Sequence, residues 1–143
     1  MTRTTQSTLE FPYSRTVGPV VGAFLGGLRE HKILGVRTPS GSVLIPPLEY
    51  DPNTGEGLSE MVEVGPNATV VSWTWVAEPT AKHTLDHPFA FALVKPDGAD
   101  TAMVHAVDAG SIDKMSTGMT VQPRWRAEAH NMIDDLACWE PAS

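Results

Sequence analysis

The side chains able to do chemistry in this chain are few and scattered. Its histidines are His31, His83, His87, His105 and His130, and its only cysteine is Cys138. Asp86 directly precedes His87 and Asp108 lies three residues after His105, the kind of neighbour that general acid–base catalysis uses. A nucleophile activated by such a base needs a strained turn within reach, and no G-x-S-x-G or equivalent is present. His87 before Pro88 reads as a residue leading into a strand, and His105, between Val104 and Ala106, as a strand residue facing solvent or core. Gly22-Ala23-Phe24-Leu25-Gly26-Gly27 lies inside a helical pattern and lacks the strand–turn–helix setting of a phosphate loop. Tyr50-Asp51-Pro52-Asn53 is superficially similar to the short motif of hot-dog hydratases, but the required histidine does not follow. That fold also needs a long central helix, whereas the one good helical pattern here is short and N-terminal.

Metal chemistry is the next class to weigh. Ile33 to Arg37 and Val43 to Ile45 are rich in β-branched residues, and Thr38-Pro39-Ser40-Gly41 between them has turn composition, so the three pieces predict a hairpin. A second turn cluster follows Pro46-Pro47 at Asp51-Pro52-Asn53-Thr54-Gly55. Two turns in this layout are the frame of a small zinc ribbon, where each would carry a pair of cysteines. Here they offer Thr38, Ser40, Asp51, Asn53 and Thr54, and neither distant Cys138 nor His31 alone completes a site. The expectation is a ribbon-like segment without metal.

Periodicity supplies the elements that position these residues. Val17, Val20, Val21, Phe24 and Leu28 follow helical spacing, predicting a helix that begins near Thr16 or Gly18 with Pro19 in its first turn. Its other face carries Gly22, Gly26 and Gly27, small residues that suit close packing against the chain's own body or a partner. From Leu58 onward, short apolar segments bounded by Gly, Pro, Asn or Asp, Val62 and Val64 among them, predict five strands of a small barrel: a first long strand through Val70 to Trp75, then Phe89 to Val94, Met103 to Val107, Met119 to Trp125 and a last strand from about Asn131 to Trp139. Lys95 to Asp100 joins two of them as a hairpin, and Gly110 to Met115 forms one helical turn. Five strands with a helical turn between the third and fourth match the OB-fold barrel. Trp73 and Trp75 share one face of their strand and Phe89 and Phe91 one face of theirs, so at least one pair fills the core. The fold class is therefore mainly β, with segments at 1–57 (tail, helix, ribbon-like turns) and 58–143 (OB-fold).

Composition closes off several functions. At 143 residues and 41% hydrophobic, the chain is long enough for a normal core. A net charge of -7 and scattered basic residues disfavour a nucleic-acid surface, including single-strand binding on OB-fold aromatics. One cysteine rules out an internal disulfide framework, and neither a signal-peptide pattern nor a membrane-spanning run is found, so the expected setting is cytoplasmic.

In order, Gly35-Val36-Arg37-Thr38, Pro46-Pro47, Asp51-Pro52-Asn53-Thr54, the Val70 to Thr74 strand, His87 to Val94 and Gly118 to Val121 resemble the DUF35 family over roughly Phe11 to Glu140. The family run is close to G-x-R-C-x-x-C-G, then P-P, then C-P-x-C; this chain keeps the frame and replaces the cysteines. The resemblance implies an N-terminal helix, a rubredoxin-like ribbon and an OB-fold. It also implies an accessory role beside thiolase-fold enzymes, in acyl-CoA metabolism. Phe11 to Pro19 and the cysteine-free Tyr50-Asp51-Pro52 turn are most similar to actinobacterial members that partner lipid-transfer-type aldolases in steroid (cholesterol) side-chain degradation. The partner would carry out the retro-aldol cleavage of a β-hydroxyacyl-CoA, with no catalytic group or cofactor in this chain and the CoA ester as ligand of the complex. Partner or acyl-CoA contacts are expected at Phe24, Leu28, Tyr50 and the loop from Glu78 to Asp86, with Arg37 or Arg124 meeting a CoA phosphate or serving as surface ion-pair residues. The alternative is a stand-alone protein that binds or converts acyl-CoA. Cys138, in a strand, is expected to be buried and unreactive.

Overall fold

The computed structural model describes residues 18–83, 85–128 and 132–142. Val17, Thr16 and the tail before them, together with His130 and Asn131, lie outside the described residues. Helix α1 spans Pro19–Arg29, with Pro19 at its start, where the missing N–H costs nothing. No local side chain caps it; instead the carboxylate of Glu49 accepts the N–H groups of Val20 (3.2 Å) and Val21 (2.8 Å), setting a negative charge at the positive end of the helix. Its apolar stripe, Val20, Phe24 and Leu28, is buried. The C-terminus closes with paired bonds from His31 N–H to the Leu28 carbonyl (3.0 Å) and from Lys32 N–H to the Gly27 carbonyl (2.8 Å). His31 therefore holds φ 64 where glycine is usual, and its ring stacks on Trp125 at 4.9 Å. Gly27 sits where a Cβ would strike Leu34, which accounts for one of the helix glycines.

Strands β1 (Ile33–Arg37), β2 (Val43–Leu44) and β3 (Glu60–Val64) form an antiparallel sheet in the order β2-β1-β3. This corrects the placement of Val62 and Val64 in the barrel: β3 pairs with β1 along its whole length, from Ile33 opposite Val64 to Arg37 opposite Glu60. A five-residue alternating strand is equally suited to either sheet, and its partner is chosen by the Gly65 turn (φ 77) that follows it.

The barrel proper consists of β4 (Ala68–Val76), β5 (Phe89–Pro96), β6 (Met103–Val107), β7 (Thr120–Trp125) and β8 (Leu136–Pro141), closed in the order β4-β5-β6-β8-β7. Closure runs through the parallel β6–β8 contact, Val107 to Trp139, and the short β4–β7 ladder at Ala68 and Thr69. A 3-10 turn at Ile112–Lys114 lies between the third and fourth barrel strands, as an OB-fold requires. The last strand begins later than the sequence pattern suggests. Ile133–Asp135 is a 3-10 turn whose Asp135 is buried, so pairing starts only at Leu136.

Trp73 and Trp75 face inward opposite Ala92 and Ala90, a large-against-small arrangement that lets two indoles pack against the barrel core. Phe89 and Phe91 take the opposite face and meet edge to face at 4.9 Å, in a separate outer cluster with Ala106 and Cys138. Ribbon and barrel share one core that runs from Phe24 and Leu28 through Ile33 and Val64 to Val70, Val94 and Leu136.

The joint between them is polar. The β5–β6 turn lies along β2: Val43 N–H donates to the Asp100 carboxylate (2.7 Å), Asp100 N–H to the Val43 carbonyl (2.8 Å), Ile45 N–H to Thr101 Oγ1 (2.8 Å), and the Thr101 hydroxyl to the Ile45 carbonyl (2.9 Å). Replacing Asp100 with Ala should leave Val43 N–H half-buried without its charged acceptor and cost about 1–3 kcal/mol in urea denaturation, since hydrogen bonds to charged groups are the stronger ones. A loss below about 0.5 kcal/mol would mean that the shared core alone holds the two parts together.

Candidate functional site

The two ribbon turns are closed by their own side chains at the positions where a zinc ribbon has cysteines. Thr38 Oγ1 lies 2.9 Å from Ser40 Oγ and accepts the Ser42 N–H (3.2 Å), while buried Asp51 accepts the Asn53 N–H (2.8 Å) and Thr54 Oγ1 the Glu56 N–H (3.2 Å). These are the side-chain-to-backbone bonds that stabilise turns without a metal. Among the described residues no group of three or more His, Cys, Asp or Glu is placed to hold a metal ion.

The expected contact residues separate into two classes. Phe24 and Leu28 are 4% and 0% exposed, so they hold the core and offer nothing to a partner in this fold. Tyr50, 66% exposed, projects from the bridge it forms with Gly57 at the second turn, near half-exposed Leu48. Arg37 donates from Nε to Glu60 (2.9 Å) and from Nη1 to the Gly41 carbonyl (3.2 Å), tying the first turn to β3. Arg124 donates from Nε to Glu140 (2.8 Å) and from Nη2 to Asp108 (3.0 Å). Both arginines are thus ion-paired rather than free to meet a phosphate.

A surface to which sequence periodicity assigns no face lies on the outside of the barrel. Leu93 and Val104 stand opposite each other on β5 and β6, and Val104 is 66% exposed. With Pro46, Ala102, Met103 and Ile133 they line a shallow apolar depression of about 470 Å³. A second depression of about 270 Å³ continues it across Ser72, Thr74 and Phe91 and shares Leu93 and Val104. The apolar surface therefore runs from the ribbon's Pro46 over two barrel strands, of a kind that marks interaction sites. The clue in sequence is the Phe89-Ala90-Phe91-Ala92-Leu93 alternation. Small residues point into the barrel against Trp73 and Trp75, leaving the large ones outside.

Beside this face lies a charged chain. His87 Nε2 meets Asp108 at 3.0 Å and Nδ1 meets Asp86 at 3.1 Å; Asp108 is also held by Arg124, and Arg124 by Glu140, which accepts Gln122 Nε2 at 3.0 Å. The Asp108 and Asp86 hydrogen bonds hold the His87 imidazolium above its ordinary pKa. Burial works to raise Asp108, but its bonds to Arg124 and His87 prevail and hold it below the carboxylate range. Gln122 and Arg124 lower Glu140 in the same way, and Glu140, then Asp108, strengthen the Arg124 cation. Burial pushes the Cys138 thiol up to about 11 and lowers His105 inside the barrel. While protonated, with a carboxylate on each ring nitrogen, His87 has no lone pair to offer as a general base. His83 sits edge-on to Phe89 and Phe91 with its Nδ1 accepting the Thr80 N–H, and His31 lies on Trp125. The described histidines, His31, His83, His87 and His105, are therefore dispersed.

The sign of the pH dependence follows. His87, raised above 6.5, contributes stability that is complete below pH 6.5 and is lost as pH rises through the raised value. Asp108, lowered from 3.8, contributes above 3.8 and loses it as pH falls through the lowered value. The stability gap between the native chain and His87→Gln should thus be larger at about pH 5.5 than at about pH 8.5 by urea denaturation, and a gap independent of pH would refute the ion pairing.

Comparison with known proteins agrees with this architecture. Residues 61–126 match the family model described as the ChsH2 C-terminal OB-fold domain. No curated protein matches the sequence. A solved structure described as the Ltp2–ChsH2(DUF35) aldolase is similar over 91% of this chain and 100% of the matched chain, with TM-score 0.66 and 19% identity. A DUF35-family protein of unknown function from Sulfolobus solfataricus is similar over 74% of this chain and 78% of its own, with TM-score 0.60 and 20% identity. At such identities the structures speak to fold, while the family model speaks to the barrel's lineage. Residues 61–126 thus resemble the ChsH2 C-terminal OB-fold domain, and the chain has the fold of the DUF35-type structures, that of the Ltp2–ChsH2(DUF35) aldolase among them.

Proposed function

We propose that this chain is a non-catalytic accessory subunit of a thiolase-fold, lipid-transfer-protein-type aldolase that acts on a β-hydroxyacyl-CoA in steroid side-chain degradation. The observation that carries the reading is the structural match, over 91% of this chain and along the whole of the matched chain, to the Ltp2–ChsH2(DUF35) aldolase. Two features of the site support it. His87 and Asp108, the histidine and carboxylate that meet at the end of β6, are committed to a chain of ion pairs, which favours chemistry on the partner. The apolar face around Leu93 and Val104 offers a dry contact for a protein partner, and its depression suits an acyl chain or ring system shared between subunits. Tyr50 and Leu48 supply a second apolar contact on the ribbon, and Arg37 and Arg124 serve as ion-pair residues at the margins. No described helix is long and apolar enough to cross a membrane, and we place the complex in the cytoplasm.

Because Val104 and Leu93 are exposed, Val104→Glu and Leu93→Glu should leave the fold intact by circular dichroism while weakening association with the aldolase subunit by about 30-fold or more, the scale of an interface hot spot. Tyr50→Glu tests the ribbon contact in the same assay. Unchanged association in all three variants would refute this docking surface. Binding or turnover of a CoA ester by the isolated chain would favour a stand-alone protein instead.

A further inference from the structure

We propose that His87 is a pH-sensitive latch: by bridging Asp86 and Asp108 it holds the segment Leu85–Pro88 over the outer cluster of Phe89, Ala106 and Cys138, and it releases that segment when the imidazolium loses its proton. The geometry is specific. His87 immediately precedes β5 and reaches from its own segment to the end of β6, where Asp108 is fixed by Arg124 from β7, itself fixed by Glu140 from β8. Leu85 packs onto the cluster that this bridge closes, and Cys138 beneath is fully buried.

The charged and titratable groups around the ring are Asp86 on its own segment, Asp108 just after β6, Arg124 on β7, Glu140 and Cys138 on β8, and His83 against Phe89 and Phe91. With His87 protonated, the ion-paired cluster holds two cations, His87 and Arg124, against three carboxylates, Asp86, Asp108 and Glu140, a net of -1; deprotonation takes it to -2. A neutral imidazole also keeps only one N–H, so one ring nitrogen then presents a lone pair to a carboxylate about 3 Å away and the contact turns repulsive. The rest of the chain of charges stays intact, because Arg124 keeps both its carboxylates. Only Leu85–Pro88 is let go. Phe91 already lines the apolar face, so release would extend that face toward Phe89. This consequence for docking rests on the function proposed above; the latch itself does not.

The test uses the intact isolated chain. Amide exchange at residues 85–87 and alkylation of Cys138 are followed at about pH 5.5 and about pH 8, each referenced to the unfolded chain to remove the intrinsic pH dependence of amide and thiol. The corrected opening should rise about two- to fivefold between the two conditions, the range that a partly exposed ion pair supports. His87→Gln should be open to the same extent at both. An equal corrected opening in the native chain at both pH values, or an unchanged rise in His87→Gln, would overturn the latch. Asp86→Asn, altered at a fully exposed side chain, gives a second variant that keeps the fold and should shrink the rise; an undiminished rise would also count against the proposal.

Discussion

The pairing of the β5–β6 turn with β2 is the constraint on which the rest of this structure depends. Residues 100 and 101 present a carboxylate, a hydroxyl and a backbone N–H to the backbone of Val43 and Ile45, so the barrel itself supplies the partner for the edge of the two-residue strand β2 that β1 leaves open. The arrangement also explains how the ribbon holds its shape on turn hydrogen bonds. Its sheet is braced on one side by α1, whose N-terminus is in turn held by Glu49 from the chain just beyond Pro46-Pro47. Helix, ribbon and barrel thus become a single body, and the surface running from Pro46 to Val104 exists only because that joint fixes the ribbon beside β5 and β6.

Two physical regimes meet on that body. In the core that the modules share, beneath their polar joint, apolar burial dominates, from Leu28 to Trp139. On the outer face the apolar strip around Leu93 and Val104 ends at a line of alternating charges, each of which has a partner of opposite sign. Paired charges at a rim cost little to leave in water and discourage indiscriminate apolar contacts, whereas the strip gains only when something covers it.

Much of this was legible in the sequence. Helical spacing found α1 because Val20, Phe24 and Leu28 lie on one stripe, and turn chemistry found the β1–β2 hairpin and the helical turn at Ile112–Lys114. Pairing was not legible. The β3 segment EMVEV alternates identically whichever sheet it joins, and the start of β8 depends on the buried Asp135 turn before it. The same lack hid the site. Alternation shows that β5 has two faces but not which one the barrel encloses, and only the register that sets Trp73 and Trp75 against alanines turns Leu93 outward. Likewise Asp108, Arg124 and Glu140 become neighbours only through β6–β8 and β7–β8 pairing, so Asp108 is the partner of His87 rather than of the nearby His105.

The most direct measurement is to titrate a purified thiolase-fold aldolase subunit with this chain and to follow complex size and retro-aldol cleavage of a β-hydroxyacyl-CoA together. An accessory subunit predicts a saturable complex whose activity rises in step with its formation, with no turnover by this chain alone. Cleavage by this chain in isolation, or full activity of the aldolase subunit without it, would contradict the account.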